Sequence, residues 1–97
     1  MMTQEEAAAE LGRHREAIDR IDLGLLELLN QRTCIVEKIG AVKKAASLPV
    51  YEPRREDAVY RNVLEHNQGP LPEDAVRRIF ERIIDEMRTL QSLRNKA

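Results

Sequence analysis

Arg15, Arg32 and Lys43 are the residues whose types and spacing first suggest chemistry. Arg32 falls seven residues after Leu25 and seven before Ile39, inside an apolar run at helical spacing. Written as heptads, one seam position takes Leu11, Ile18, Leu25, Arg32 and Ile39, and the other takes His14, Ile21, Leu28, Ile35 and Val42. Beside the seam runs a strip of Arg15, Asp22, Leu29, Val36 and Lys43. Charge on such a face needs a partner. Either inward acids such as Asp22 and rim solvent supply it, or an anionic ligand does. Arginine suits a carboxylate through its planar fork, and lysine supplies a point charge.

Spacing limits how these cations cooperate. Arg32 and Lys43 differ by ~20° in azimuth and ~16 Å along a straight helix, so they can approach opposite ends of one small molecule. Arg15 is ~25 Å from Arg32 on the same axis, too far to share a metabolite within one chain. An antiparallel second copy would bring its Arg15 beside Arg32. Two further polar residues interrupt apolar faces. Glu56 shares a face with Val59, Tyr60 and Val63, and the row Phe80, Ile84 and Met87 continues to Gln91. Each alone suits the rim of a core. Beside three cations, an acid and an amide offer partners for a hydroxyl and an ether or carbonyl oxygen.

Three helices must position these groups. No proline interrupts the stretch from about Gln4 to Ala46, and "SLPVYEP" ends it, because Pro49 and Pro53 cannot continue a helix. Pro53 suits the first position of a second helix reaching about Asn67. "NQGPLP" is the next break, and Pro72 opens a third helix to about Leu93. A first helix of ~60 Å exceeds the ~32 Å diameter expected of a compact chain this long, so it must kink or project. A projecting apolar seam finds its simplest cover in a second copy, which predicts an intertwined homodimer.

The totals agree with an all-α chain forming one domain over residues 1–97. Apolar residues make up 42% and aromatics 3%, so Leu, Ile, Val and Ala must build the core. Sixteen basic residues against seventeen acidic ones leave a formal charge of −1, which argues against nucleic-acid binding. One cysteine, Cys34, excludes an internal disulfide, and no Cys/His cluster has metal-ligand spacing. Cys34 reads as a plain thiol, His14 as a packing residue and His66 as a favourable cation near a helix end. The opening "MMTQEEAAAE" lacks the pattern of a secretory signal, and no stretch is long and apolar enough for a membrane span. These features predict a cytoplasmic protein.

The segments "LGRHREAIDRIDLGLLELLNQR", "VKK", "PVYEPRRE" and "IFERIIDEMRTLQ", from about residue 11 to 91, resemble the all-helical class of chorismate mutases. "HNQGPLPED" is similar to the mutase module of bifunctional mutase–prephenate dehydratase proteins. The resemblance implies a three-helix chain, an interlaced dimer and the Claisen rearrangement of chorismate to prephenate, on the route to phenylalanine and tyrosine. It assigns Arg32 and Arg15 of the partner subunit to the substrate carboxylates. Lys43 would contact a carboxylate and the ether oxygen, and Gln91 the same ether oxygen. Glu56 would accept from the ring hydroxyl, with Glu52 and its backbone nearby. Glu52 stands where the family often has Asp, and Met87 where some members carry a small hydroxyl residue. No cofactor or metal is implied.

Such a reaction needs no nucleophile or proton transfer. It needs a compact reactive conformer and positive or donor groups where charge grows on the breaking ether oxygen. Isochorismate pyruvate lyase, which shares this fold and breaks a similar ether bond, stays open as an alternative. So does a non-catalytic helical dimerisation module.

Overall fold

The computed structural model describes residues 1–95, in three α-helices: α1 (Gln4–Ala45), α2 (Pro53–His66) and α3 (Glu73–Asn95). Contacts divide the chain into two units, Met1–Cys34 and a second that begins at Ile35. The first unit contains only the N-terminal part of α1 and the residues before it. The second contains the end of α1, α2 and α3.

α1 starts with a threonine N-cap. Thr3 Oγ1 accepts from the Glu6 backbone N–H at 3.1 Å and donates to Glu6 Oε1 at 3.0 Å, satisfying an otherwise orphaned donor. Glu5 and Glu6 in the first turn, and Lys43 and Lys44 in the last, complement the helix dipole. Within the first unit the apolar seam has nothing to cover it: Ile18, Leu25 and Leu28 are each more than half exposed.

α1 ends one residue before the expected Ala46, well ahead of Pro49, because its last turn closes on itself. The Leu48 N–H donates to the Lys43 carbonyl at 2.7 Å, and the Ser47 N–H donates to the Lys44 carbonyl at 3.3 Å. These are the paired bonds of a Schellman motif, which requires a left-handed residue after the C-cap. Ser47 fills that position at φ 56°.

Pro53 opens α2 as expected, and the Glu52 carbonyl accepts the first helical bond from the Glu56 N–H at 3.0 Å. α2 ends at His66, where the chain extends at Asn67. Asn67 then organises the connection, with Oδ1 accepting from the Gly69 N–H and Nδ2 donating to the Leu71 carbonyl. Pro72 precedes α3, and its carbonyl accepts from the Ala75 and Val76 N–H groups. α3 runs past the expected Leu93 to Asn95, with Arg94 pairing Glu37 of α1 at 3.2 Å.

The core of the second unit is small. Val36 of α1 and Val76 and Ile84 of α3 are its buried apolar side chains, with Val59, Tyr60 and Val63 of α2 half-buried. Thus α1 turns its shoulder strip, Val36 and Lys43, into its own chain. The seam residues Ile35, Ile39 and Val42 remain exposed. No helix among the described residues is long and apolar enough to cross a membrane.

Ser47 yields a direct test. A side chain in the left-handed region costs roughly 1–2 kcal/mol, of which glycine's greater unfolded-state freedom cancels part. Ser47→Gly should therefore raise stability by ~0.5–1 kcal/mol in urea unfolding. A loss of stability would show that the hydroxyl does more than occupy the turn.

Candidate active site

Lys43 is the only charged side chain buried among the described residues, at 7% exposure, and its ammonium is saturated by the chain itself. It lies 2.8 Å from Glu52 Oε1 and donates to the Val50 carbonyl at 2.8 Å. A third, longer contact reaches Gln91 Oε1 at 3.4 Å. Three acceptors match the three N–H bonds of an ammonium.

Local sequence explains each acceptor. The Schellman turn after α1 reverses the chain, so Val50 and Glu52 come back to the residue that ends the helix. Glu52 occupies the N-cap of α2, yet its side chain makes no capping bond. The longer glutamate reaches Lys43 instead, where a shorter aspartate at an N-cap favours the helix's own N–H groups. Gln91 is buried at 8% exposure, and its Nε2 donates to the Val36 carbonyl at 3.1 Å. That bond orients the amide, points its oxygen at Lys43 and leaves a second N–H on Nε2. Gly40 lies close beside it: a methyl group there would meet Gln91 Cγ at 3.5 Å, ordinary van der Waals contact.

Glu56, on the first turn of α2, is gripped by Arg88 of α3. Arg88 Nη2 donates to both carboxylate oxygens, and Nε donates to Oε2 at 3.1 Å. The same guanidinium lies over the Tyr51 ring, 4.7 Å from its centroid. The hydrogen bonds from Arg88 to Glu56 push the guanidinium's pKa further above its ordinary value, so it is a fixed cation.

The structure therefore brings together Lys43, Glu52 and Gln91, and separately joins Glu56 to Arg88. Arg15 and Arg32 belong to the first unit, Arg15 exposed and Arg32 half-buried. Met87 is half-buried on α3. Sequence reasoning missed Arg88 and Tyr51. The signal for Arg88 was present: it follows Ile84 by four residues and precedes Gln91 by three, so a cation occupies an apolar spacing of α3. No group of three or more His, Cys, Asp or Glu side chains among the described residues could hold a metal ion.

Comparison with known proteins meets this geometry from another side. Residues 14–92 match the family model of chorismate mutase type II. The chain is 44% identical over 73 residues to the bifunctional chorismate mutase/prephenate dehydratase of Neisseria gonorrhoeae, covering 75% of this chain and 20% of that protein. The corresponding protein of Aquifex aeolicus is 36% identical over 86 residues, 24% of its length. The chain thus spans about a fifth to a quarter of these bifunctional relatives. The chorismate mutase of Methanocaldococcus jannaschii is 28% identical over 84% of both chains. A solved chorismate mutase structure from Thermus thermophilus superposes with a TM-score of 0.84 at 29% identity, covering 86% of this chain and 94% of that one. With its three helices, and with a match from the third turn of α1 almost to the end of α3, the chain belongs to the chorismate mutase type II family.

Proposed function

We propose that this chain rearranges chorismate to prephenate in phenylalanine and tyrosine biosynthesis, as a cytoplasmic homodimer, with no cofactor. The observation that carries this reading is the buried Lys43 ammonium, held by Glu52 and the Val50 carbonyl and only loosely by Gln91. The two 2.8 Å contacts fix its position. At 3.4 Å the bond to Gln91 is near the limit of hydrogen bonding and is the one a ligand oxygen would replace.

In this reading Lys43 and the remaining N–H of Gln91 converge on the ether oxygen, where negative charge grows as the bond breaks. A donor already in place, in a site shielded from water, stabilises that charge without reorganising. Arg32 and Arg15 of the partner subunit hold the two carboxylates. Glu56 accepts from the ring hydroxyl and Glu52 supports Lys43. The two arginine clamps select the compact conformer in which the reacting carbons meet. The exposed seam of α1 supports the dimer: an apolar helix face of this kind needs a cover, and an isologous second copy supplies one.

The decisive assay follows chorismate absorbance and identifies the product; prephenate supports the mutase, and pyruvate release from isochorismate instead would favour the lyase. Lys43→Met keeps most of the stem and deletes the charge, so kcat should fall by ~10²–10³, as for loss of one oxyanion donor. Activity within tenfold of the parent would sink this role for Lys43.

Subunit sharing can be read by mixing. Arg15→Ala and Arg32→Ala proteins should each be nearly inactive. After full exchange, half of the dimers are mixed and one of their two sites is intact, so activity should return to about a quarter of the parent's. No recovery despite verified exchange would show that each site is built from one chain.

The ion pair also predicts an asymmetry in stability. Glu52 is 47% exposed at its side chain, so water can solvate it once Lys43 is gone. Lys43→Met should then cost under ~1 kcal/mol. Glu52→Ala strands a buried ammonium and should cost ~1–3 kcal/mol in urea unfolding. The opposite order would mean that the ammonium is hydrated.

A further inference from the structure

We infer that Arg88 is a positioning residue, which sets the Glu56 carboxylate so that one oxygen faces the substrate hydroxyl. The inference rests on the reading of the site given above. It starts from three facts: the fork of Arg88 engages both oxygens of Glu56, its flat face stacks on Tyr51, and it lies one turn before Gln91 on α3.

A glutamate side chain has three rotatable bonds, and left alone it would sample many directions. The planar guanidinium removes that freedom, since a fork with two donors fits the carboxylate in one orientation. The Tyr51 ring holds the fork in turn, because a guanidinium is attracted to an aromatic face. Tyr51 also adjoins Glu52, the partner of Lys43, so Arg88 links α3 to α2 and to the segment that fixes the ammonium.

Counting acceptors shows what is left for a ligand. A carboxylate has about four lone-pair sites. Oε2 accepts from both Nη2 and Nε, and Oε1 accepts only from Nη2. Oε1 therefore keeps the open site, and that oxygen receives the hydroxyl. The hydroxyl neither gains nor loses charge during the rearrangement. Its contact is equal in the ground and transition states, so losing it should appear mainly in KM. This distinguishes Arg88 from Lys43, whose effect falls on kcat.

The test is steady-state kinetics on the full chain, with parent, Arg88→Met, Arg88→Lys, Glu56→Ala and the Glu56→Ala/Arg88→Met double variant. Arg88→Met should raise KM about tenfold with kcat within about threefold of the parent. Arg88→Lys keeps the charge but not the fork and should fall between the two. In the Glu56→Ala background, removing Arg88 should change KM by less than about threefold, because the group it positions is already gone. A purely structural tie would instead lower urea stability in the single variant and leave KM untouched. An Arg88→Met KM equal to the parent's overturns the inference. So does a tenfold loss that persists without Glu56, which would mean that Arg88 touches substrate itself. If Arg88→Met does not fold, Arg88→Lys decides: a parental KM overturns the role and a raised one with unchanged kcat supports it. A parent that leaves chorismate unchanged overturns the function and this role together, whereas an active parent indifferent to Arg88 overturns this role alone.

Discussion

A buried ammonium has to be met by acceptors, and much of the second unit is arranged around meeting that of Lys43. Burying an unpaired charge is costly enough to dictate local structure. Here the acceptors come from three places: a backbone carbonyl and a carboxylate in the segment before α2, and an amide on α3. None would be in reach if α1 simply continued. The turn at Ser47 is the device that brings the chain back, and the side chain of Glu52 is given to the lysine at the expense of capping α2. The two helix ends and the ion pair are thus one problem with one solution.

The same logic orders the acceptors around the ammonium by how easily they yield. Glu52 is bound by full charge at short range, and Val50 by backbone geometry. Gln91 is held from behind by the Val36 carbonyl and touches Lys43 only at the edge of bonding distance. In the proposed site a ligand oxygen would replace the soft contact and leave the two firm ones in place. The hydrogen bond to the Val36 carbonyl would keep Gln91 in place during that exchange.

Much of this was legible in the sequence, and the misses have physical causes. Prolines located the breaks, because a missing N–H and a fixed φ act locally whatever the tertiary setting. The end of α1 depended on a left-handed serine, a conformation that residue type alone does not announce. Lys43 was recognisable as a cation on a buried strip, but not its partners, because Val50 contributes only a backbone carbonyl. Arg88 stood at an apolar spacing and was passed over for a different reason. A row traced through Phe80, Ile84, Met87 and Gln91 passes beside it, and an arginine near a helix's polar boundary resembles any solvated residue. Its pairing with Glu56 becomes visible only when α2 and α3 are packed together.

The long helix also separates two kinds of burial by face. The strip through Val36 and Lys43 is covered by the chain's own α3 and the turn that follows α1. The neighbouring residues Ile35, Ile39 and Val42 are left open, and in the first unit Leu25 and Leu28 are exposed as well. Adjacent strips of one helix point in directions only tens of degrees apart, so a single neighbour would tend to cover both. Keeping one open preserves an apolar surface for the proposed second copy. It also explains the choice of charge at the boundary. A lysine on the covered strip can be neutralised within the chain. Arg32, half-buried on the same helix, is the residue that the proposed dimer would enclose together with the substrate carboxylate assigned to it under that proposal.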